Sequence, residues 1–245
     1  MSRNIKLIIA YDGTEFCGWQ RQDNRRTVQG VIEDALEKMH GKPTALTGAG
    51  RTDAGVHAAG QTANFYTNIN SMAEDRFVPA LNSLLPRDVR ILESREVSND
   101  FHARFSAKAR VYRYQFLCRP PLPHERLYNV RLSHFPRIDL LNAYGRLLLG
   151  ETDCSIFAAA GDTSKSKNRY VYRAYFYTEN NTLIFEICAN AFLRNMVRSV
   201  AGTFLRSEET GTKPEKLREI IASGERSQAG PTLPPHGLFL WKVEY

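Results

Sequence analysis

The sequence Leu46-Thr-Gly-Ala-Gly-Arg-Thr-Asp-Ala-Gly-Val-His57 is the stretch around which the rest of the chain is organised. Three glycines surround the triplet Arg51-Thr-Asp53, and glycine allows positive φ angles and close approach of another backbone or a ligand. Such a loop would present the Asp53 carboxylate on a fixed turn, near a guanidinium that favours the ionised form. The pattern alone is equally typical of a surface turn with a local ion pair.

Apolar periodicity on both sides of this loop predicts the order β-α-β-β-α-β for the first half of the chain. A capping box, Ser71-Met-Ala-Glu74, is expected to open the second helix, and Pro79 is expected to kink it. The predicted elements are strand 4–11, a helix that begins at the cap Thr27 and ends at His40, strands 44–47 and 61–66, a helix from the capping box to about Leu85, and strand 89–97.

The second half repeats this order as a pattern, without visible sequence identity to the first. The predicted elements are strand 109–118, helix 138–149, a hairpin of strands 169–177 and 182–188 around Glu179-Asn-Asn181, a long helix from Phe192 to about Arg206, a short helix 212–222 and strand 238–244. The sequence therefore predicts an α+β protein with two ferredoxin-like, RRM-like βαββαβ units, residues 1–105 and 106–245, whose sheets are antiparallel. RNA-recognition modules share this order, which by itself assigns no function.

Composition and charge narrow the class of protein. The 245 residues carry a net charge of +7, which suits a polyanionic partner. The cysteines are too far apart for a Cys-x-x-Cys knuckle, so we expect reduced thiols in a cytosolic protein and no zinc site. Neither a signal peptide nor a stretch long enough to span a membrane is visible. The cysteines are Cys17, Cys118, Cys154 and Cys188.

The string Gly50-Arg-Thr-Asp-Ala-Gly-Val-His57 resembles the signature of the TruA family of pseudouridine synthases, which act on transfer RNA. The likeness covers most of the chain and is specific, because five further strings follow the order of that family. They are Gly18-Trp-Gln-Arg-Gln22, Asp100-Phe-His-Ala-Arg-Phe-Ser106, Tyr112-Arg-Tyr114, Asn190-Ala-Phe-Leu-Arg-Asn-Met-Val-Arg198 and Gly237-Leu-Phe-Leu240.

The resemblance implies a fold and a reaction. It implies two βαββαβ units whose sheets are joined around a central basic cleft, and a homodimer that holds one tRNA across both subunits. The implied reaction converts uridine to pseudouridine at tRNA positions 38 to 40, in the anticodon stem-loop. The resemblance further implies that no metal and no small-molecule cofactor take part, and it is consistent with a cytoplasmic enzyme without a membrane partner.

Pseudouridine formation breaks the N1–C1′ bond of uridine, turns the base, and joins C5 to C1′. It needs a nucleophile that attacks either C1′ or C6, and a base that removes the C5 proton. Asp53 is the expected nucleophile, and the sequence leaves both points of attack open. The resemblance implies that Arg198 pairs with Asp53. It also implies that Tyr112 packs on the extruded base and is a candidate acceptor for its C5 proton.

The remaining candidates have weaker signals. Alternation places Tyr112, Tyr114 and Phe116 on one face of a strand, and the last two are expected in the core. Spacing places Arg194 and Arg198 on one face of the predicted long helix.

Seven residues in or near these strings are candidates for a binding or supporting role. Arg51 would hold the RNA backbone or fill the gap left by a flipped base. His57 is expected to be a hydrogen-bonding loop residue at the substrate site, and His102 and Arg104 are expected to brace that site. Gln29, like Gln20, fits either a substrate contact or an ordinary surface residue, and Leu238 fits either a wall of the uracil pocket or the core.

Two other functions fit parts of the same sequence. A non-catalytic RNA-binding protein could use the same units, and it would tolerate the loss of Asp53. A nucleosidase could also use Asp53, but such enzymes typically need a second carboxylate as acid partner, and the glycine-rich loop supplies one only. The mass of the RNA product separates these functions, because an isomerase leaves the mass unchanged whereas a nucleosidase releases uracil.

Overall fold

The computed structural model describes residues 2–245, which divide into two compact units. The first unit contains the residues up to Lys108 together with Phe239–Tyr245, and the second contains Ala109–Leu238. The prediction of a mixed α+β chain is confirmed. No helix within residues 2–245 combines the length and the apolar character needed to cross a bilayer.

The first unit has the predicted order β-α-β-β-α-β. Its elements are β1 (Arg3–Tyr11), α1 (Val28–His40), β2 (Thr47–Gly48), β3 (His57–Thr67), α2 (Phe77–Leu84) and β4 (Val89–Val97). Strand β1 lies between β4 and β3 and is antiparallel to both. The other edge of β3 pairs with β2, which delivers the chain to the glycine-rich loop.

Helix α1 begins and ends where the sequence predicts. The Thr27 side chain accepts the backbone N–H of Gly30 at 3.3 Å, and Gly41 ends the helix with φ of 67°. These are the usual roles of a hydroxyl at the N-cap and a glycine at the C-terminal end. The apolar face buries Val28, Ile32, Ala35 and Leu36, so one side of α1 contributes to the core of the first unit.

The predicted start of the second helix is wrong. A 3-10 turn, Glu74–Arg76, precedes α2, and no side chain caps it. The Glu74 carboxylate instead accepts the backbone N–H of Glu96 at 2.7 Å, so a tertiary contact replaces the capping box. Pro79 lies in the first turn of α2. A missing N–H there removes no helical hydrogen bond, so Pro79 gives no reason for the predicted kink.

The second unit contains one sheet and three helices. Its elements are β5 (Ala109–Leu117), β6 (Val130–Arg131), α3 (Ile138–Arg146), β7 (Gly150–Asp153), β8 (Asn168–Glu179), β9 (Thr182–Ala189), α4 (Met196–Glu209) and α5 (Pro214–Ser223). The sheet order is β6-β5-β9-β8-β7. The predicted hairpin is β8–β9, and Asn180 and Asn181 both have positive φ, as two-residue hairpin turns favour.

Aromatic side chains form the core between this sheet and its helices. Tyr114 and Phe116 are fully buried, which confirms the prediction that they are core residues. Phe204 of α4 lies 6.1 Å from Phe185 of β9, measured between ring centroids. The last strand, β10 (Leu238–Glu244), has the predicted bounds and runs parallel to β3 from the pair Phe239 and His57.

Glu186 of β9 is a buried carboxylate with three hydrogen-bond donors. Arg113 Nε lies 2.8 Å from one oxygen, and Arg173 Nε and the Tyr175 hydroxyl lie 3.0 and 3.1 Å from the other. Burial acts to raise the pKa of Glu186, but these hydrogen bonds outweigh it and hold the pKa below its ordinary value. The ionised group therefore stabilises the fold above the unfolded-state pKa of about 4.3.

Glu186→Gln is expected to lower the free energy of unfolding by about 1–2 kcal/mol at pH 7, because two partly exposed arginines lose their partner. The difference should shrink as the pH falls through the folded-state pKa, since wild type then loses the same charge. Urea unfolding followed by circular dichroism at several pH values measures it. Glu179→Gln, an exposed carboxylate at the end of β8, is the control. An equal deficit at every pH would refute the electrostatic explanation.

Candidate active site

The signature loop, residues 49–56, connects β2 to β3 and carries Asp53. Its first residues are held on β3, because Ala49 N–H donates to the Thr62 carbonyl at 2.8 Å and the Gln61 amide donates to the Gly50 carbonyl at 2.8 Å. Its last residues form a turn in which Val56 N–H donates to the Asp53 carbonyl at 3.2 Å. Asp53 itself is half-buried.

A second segment, Asp12 to Trp19, lies against the middle of the signature loop. Trp19 N–H donates to the Thr52 carbonyl at 3.1 Å, and the Tyr11 and Thr52 hydroxyls are 2.8 Å apart. The buried Trp19 indole packs on Gly48, where an added Cβ would lie 2.6 Å from the ring. Backbone and buried side chains thus fix the residue beside Asp53, which is what a positioned nucleophile requires.

Gly18 is a point of close approach between these two segments. Its φ is +89°, and an added Cβ would lie 2.6 Å from the Thr52 carbonyl oxygen and 3.2 Å from the Asp53 carbonyl carbon. Both the left-handed backbone and the lack of space require glycine here.

Gly18→Ala is expected to lower the free energy of unfolding by about 2–4 kcal/mol, since it combines a strained φ with a backbone clash. It should also lower kcat more than it raises KM, because the clash displaces the loop at Asp53. Thermal unfolding and steady-state kinetics measure the two effects. Gly41→Ala tests strain alone, because its φ is +67° but nothing lies within 4 Å of the added Cβ; equal kinetic effects of the two variants would contradict the expected displacement.

His57 lies at the base of the signature loop, where β3 begins. Its side chain is fully buried. Nδ1 accepts the N–H of Gly13 at 2.9 Å, and the ring stacks on Phe239 at 4.7 Å between centroids. Asp12 Oδ1 lies 3.2 Å from the same nitrogen but accepts the hydroxyl of Thr14 at 2.6 Å. These contacts are those of a hydrogen-bonding loop residue.

Arg51 is exposed and turns toward α1. Its Nε donates to Gln20 Oε1 at 3.0 Å, and Gln20 Nε2 donates to Gln29 Oε1 at 2.8 Å. The structure therefore brings together three of the residues selected from the sequence, and it makes Gln20 and Gln29 a connected pair behind Arg51.

His102 and Arg104 lie in the loop after β4. His102 Nδ1 accepts the backbone N–H groups of Arg104 and Phe105 at 3.1 and 3.3 Å, so the imidazole shapes its own turn. The Arg104 side chain is exposed and its guanidinium lies 5.6 Å from the centre of the Phe105 ring.

In the second unit, Tyr112 lies on β5 opposite Ile187 of β9. Its residue exposure is 8%, and Phe192 contacts it edge-on with ring centroids 5.0 Å apart and an interplanar angle of 79°. The neighbouring Tyr114 hydroxyl donates to the Pro234 carbonyl. Burial raises the pKa of Tyr114 far above its ordinary value, and the Arg198 charge lowers it only in part, so Tyr114 remains a protonated donor.

Arg198 is the third residue of α4, and two of its nitrogens are held in place. Nε donates to the Leu233 carbonyl at 2.7 Å, and Nη1 donates to Asn195 Oδ1 at 2.9 Å. The half-buried guanidinium is thus oriented by contacts within its own unit, as a planar fork of donors allows.

The expectation that Arg194 and Arg198 share a helix face is wrong, because α4 begins at Met196 and not at Phe192. Asn195 has φ of +63°, a left-handed conformation that breaks the helical path. The turn is held on both sides of Arg194: its N–H donates to Asp162 Oδ2 at 3.1 Å, and its carbonyl accepts the N–H of Ala159 at 3.2 Å. The exposed Arg194 side chain therefore projects from a turn and not from α4.

Leu238, the first residue of β10, is 4% exposed. The sequence reading missed Asn195 and the Leu233 carbonyl, which together orient Arg198. Asparagine is among the residues that adopt left-handed conformations most readily, so Asn195 just before an apolar helical run was an available signal, whereas a carbonyl 35 residues away leaves none.

Comparison with known proteins identifies the family of this chain. A family described as tRNA pseudouridine synthase matches residues 7–106 and 145–245. The chain is 51% identical to tRNA pseudouridine synthase A of Treponema denticola, over 99% of this chain and 93% of that protein. It is 47% identical to the enzyme of the same name from Treponema pallidum, over 96% and 85%. For the one from Caldicellulosiruptor saccharolyticus the identity is 45%, over 99% and 100%.

The family match includes the signature loop and α4, which carry Asp53 and Arg198. The relatives that align over 99% of this chain also span β5, which carries Tyr112. Both the family match and the relatives, which are more than 40% identical over nearly the full length, lead to the same assignment. The chain belongs to the tRNA pseudouridine synthase family, isomerases that convert uridine in tRNA to pseudouridine.

Proposed function

We propose that this enzyme modifies uridines at positions 38 to 40 in the anticodon stem-loop of tRNA, as a cytoplasmic homodimer that needs neither metal nor cofactor. The observation that carries the proposal is the placement of Asp53. It stands within the family string Gly50–His57, on a loop whose backbone is held by β3 and by the segment that ends at Trp19.

We further propose that the two units are ferredoxin-like modules with joined sheets and a basic cleft, and that both act on one extruded uridine. Asp53 comes from the first module, and Tyr112 and Arg198 from the second. Arg198 pairs with Asp53 and keeps it ionised in a desolvated site. The hydrogen bonds of Arg198 to Leu233 and Asn195 support this role, because they orient the guanidinium before substrate arrives.

The reaction follows from these roles. The Asp53 carboxylate attacks C1′ or C6 of the flipped uridine, and the N1–C1′ bond breaks. The uracil turns within the site and C5 bonds to C1′. The bond to Asp53 breaks again, which regenerates the carboxylate. Tyr112 packs on the base and accepts the C5 proton, and N1 gains one proton, so the product has the same atoms as the substrate. Stacking on an aromatic ring is a common way to hold an unstacked base.

The substrate-binding residues surround this centre in the proposal. Arg51 and Arg194, both exposed, contact the RNA backbone or the gap left by the flipped base. Gln29 supports Arg51 through Gln20, His57 supports the loop from below, and Leu238 forms an apolar wall of the uracil pocket.

Incubation of the pure protein with unmodified tRNA tests the proposal. We expect products of unchanged mass in which pseudouridine is found only where positions 38, 39 or 40 hold uridine. Replacing those uridines by cytidine in a matched transcript should leave that tRNA unmodified. Modification in another arm would contradict the proposed target, and released uracil would contradict isomerisation.

A further inference from the structure

A chain of polar side chains runs from α1 to the exposed Arg51 guanidinium. It begins at Glu33, continues through Gln29, which lies one helical turn earlier on α1, and reaches Arg51 through Gln20. Glu33 Oε1 accepts Gln29 Nε2 at 3.1 Å, Gln29 Oε1 accepts Gln20 Nε2 at 2.8 Å, and Gln20 Oε1 accepts Arg51 Nε at 3.0 Å. All members lie in the first unit.

The direction of this chain is fixed at its inner end. An ionised carboxylate only accepts hydrogen bonds, so the Gln29 amide must turn its nitrogen toward Glu33. The backbone enforces the same orientation: Gln29 Nε2 also donates to the Leu46 carbonyl at 2.9 Å, and Gln29 Oε1 also accepts the N–H of Arg21 at 3.0 Å. Leu46 N–H in turn donates to Glu33 at 3.1 Å.

The fixed Gln29 determines what Gln20 can do. Because Gln29 presents its amide oxygen, Gln20 must donate from its amide nitrogen. The amide oxygen of Gln20 then faces Arg51. Reversal of the Gln20 amide would place two acceptors together at Gln29 and two donors together at Arg51. A single orientation therefore satisfies the whole chain.

We propose that Gln20 and Gln29 are positioning residues that hold the Arg51 guanidinium in the direction from which it meets tRNA. The proposal rests on the proposed contact between Arg51 and RNA. An exposed arginine has many rotamers, and a side chain that is already ordered loses less conformational freedom on binding. Through Gln20, Gln29 and Glu33, the same chain connects Arg51 to the backbone of Leu46, just before β2.

The test compares Gln20→Ala with Gln22→Ala, alone and combined with Arg51→Ala. Gln22 is the matched control, because its amide donates to the backbone carbonyls of Cys17 and Gln20, at 3.2 and 3.5 Å, and has no hydrogen bond to Arg51 within residues 2–245. We expect Gln20→Ala to lower kcat/KM about three- to tenfold, the net contribution of one ordinary intramolecular hydrogen bond. Gln20→Ala should add nothing in the Arg51→Ala background, and Gln22→Ala should change nothing.

A second measurement does not depend on activity. The NMR order parameter of the Arg51 Nε–H bond should fall in Gln20→Ala and Gln29→Ala and stay unchanged in Gln22→Ala. Unchanged order in Gln20→Ala would overturn the proposal, as would a Gln20→Ala defect that persists without Arg51. An Arg51→Ala enzyme with full activity would instead refute the RNA contact, and the order parameter would still decide the positioning role.

Discussion

Asp53→Asn is expected to lower kcat by at least about 10⁴-fold, the range seen when a covalent nucleophile is removed. The amide has nearly the same shape as the carboxylate but is not a nucleophile, so the loop should keep its structure and tRNA binding should stay within about threefold. Release of tritium from tRNA labelled at uridine C5 measures turnover, because C5 loses its hydrogen when it bonds to C1′. Filter binding at the same salt concentration measures affinity.

Asp75→Asn is the control for this variant. Asp75 is an exposed carboxylate in the 3-10 turn before α2, and its loss should leave both measurements unchanged. Asp53→Glu adds one methylene and should also be inactive. Hydrogen bonds hold the backbone on both sides of position 53, so the loop cannot shift to compensate for the longer side chain. Normal tritium release by Asp53→Asn would show that another group is the nucleophile.

Arg198→Lys is expected to lower kcat about 10²-fold with little change in KM, although the charge is kept. A lysine ammonium is a point charge on one nitrogen. It does not reproduce the two directed hydrogen bonds of the guanidinium, from Nε to the Leu233 carbonyl and from Nη1 to Asn195. The cation would then be free to move away from the direction in which we propose it meets Asp53. Arg198→Ala, which also removes the charge, should cost about tenfold more.

The matched control is Arg206→Lys on the same helix. Arg206 is exposed, and Nη1 makes one long contact of 3.5 Å with the Ala229 carbonyl, so its replacement should alter kcat less than twofold. Asn195→Gly keeps the left-handed backbone but removes one of the two anchors, and its kcat should lie between those of Arg198→Lys and wild type. A near-normal kcat for Arg198→Lys would mean that charge alone suffices and that the fork geometry is not used.

Elements with local signals could be predicted from the sequence. The bounds of β4 and β10 match the prediction. The hairpin turn at Asn180 and Asn181 could be read directly, since these residues tolerate positive φ. Helix α1 carries both of its end signals, a threonine and a glycine, within its own sequence.

Elements that depend on distant contacts could not be predicted in the same way. The start of α4 depends on the turn that Asp162 and Ala159 hold at Arg194, and Asn195 is the local signal for it that the prediction did not use. Strands β6 and β7 are two and four residues long, too short for periodicity to show. The family strings predicted the candidate site residues. Only the three-dimensional structure shows that Gln29, Gln20 and Arg51 are joined by hydrogen bonds.

Trp19 gives the signature loop a native optical label. The chain contains two tryptophans, and the other is Trp241 on β10. A Trp241→Phe enzyme would therefore have one indole, buried against Gly48 and bonded through its backbone to the residue before Asp53. Its emission spectrum would register any opening of that loop during catalysis, in stopped-flow experiments that need no attached dye.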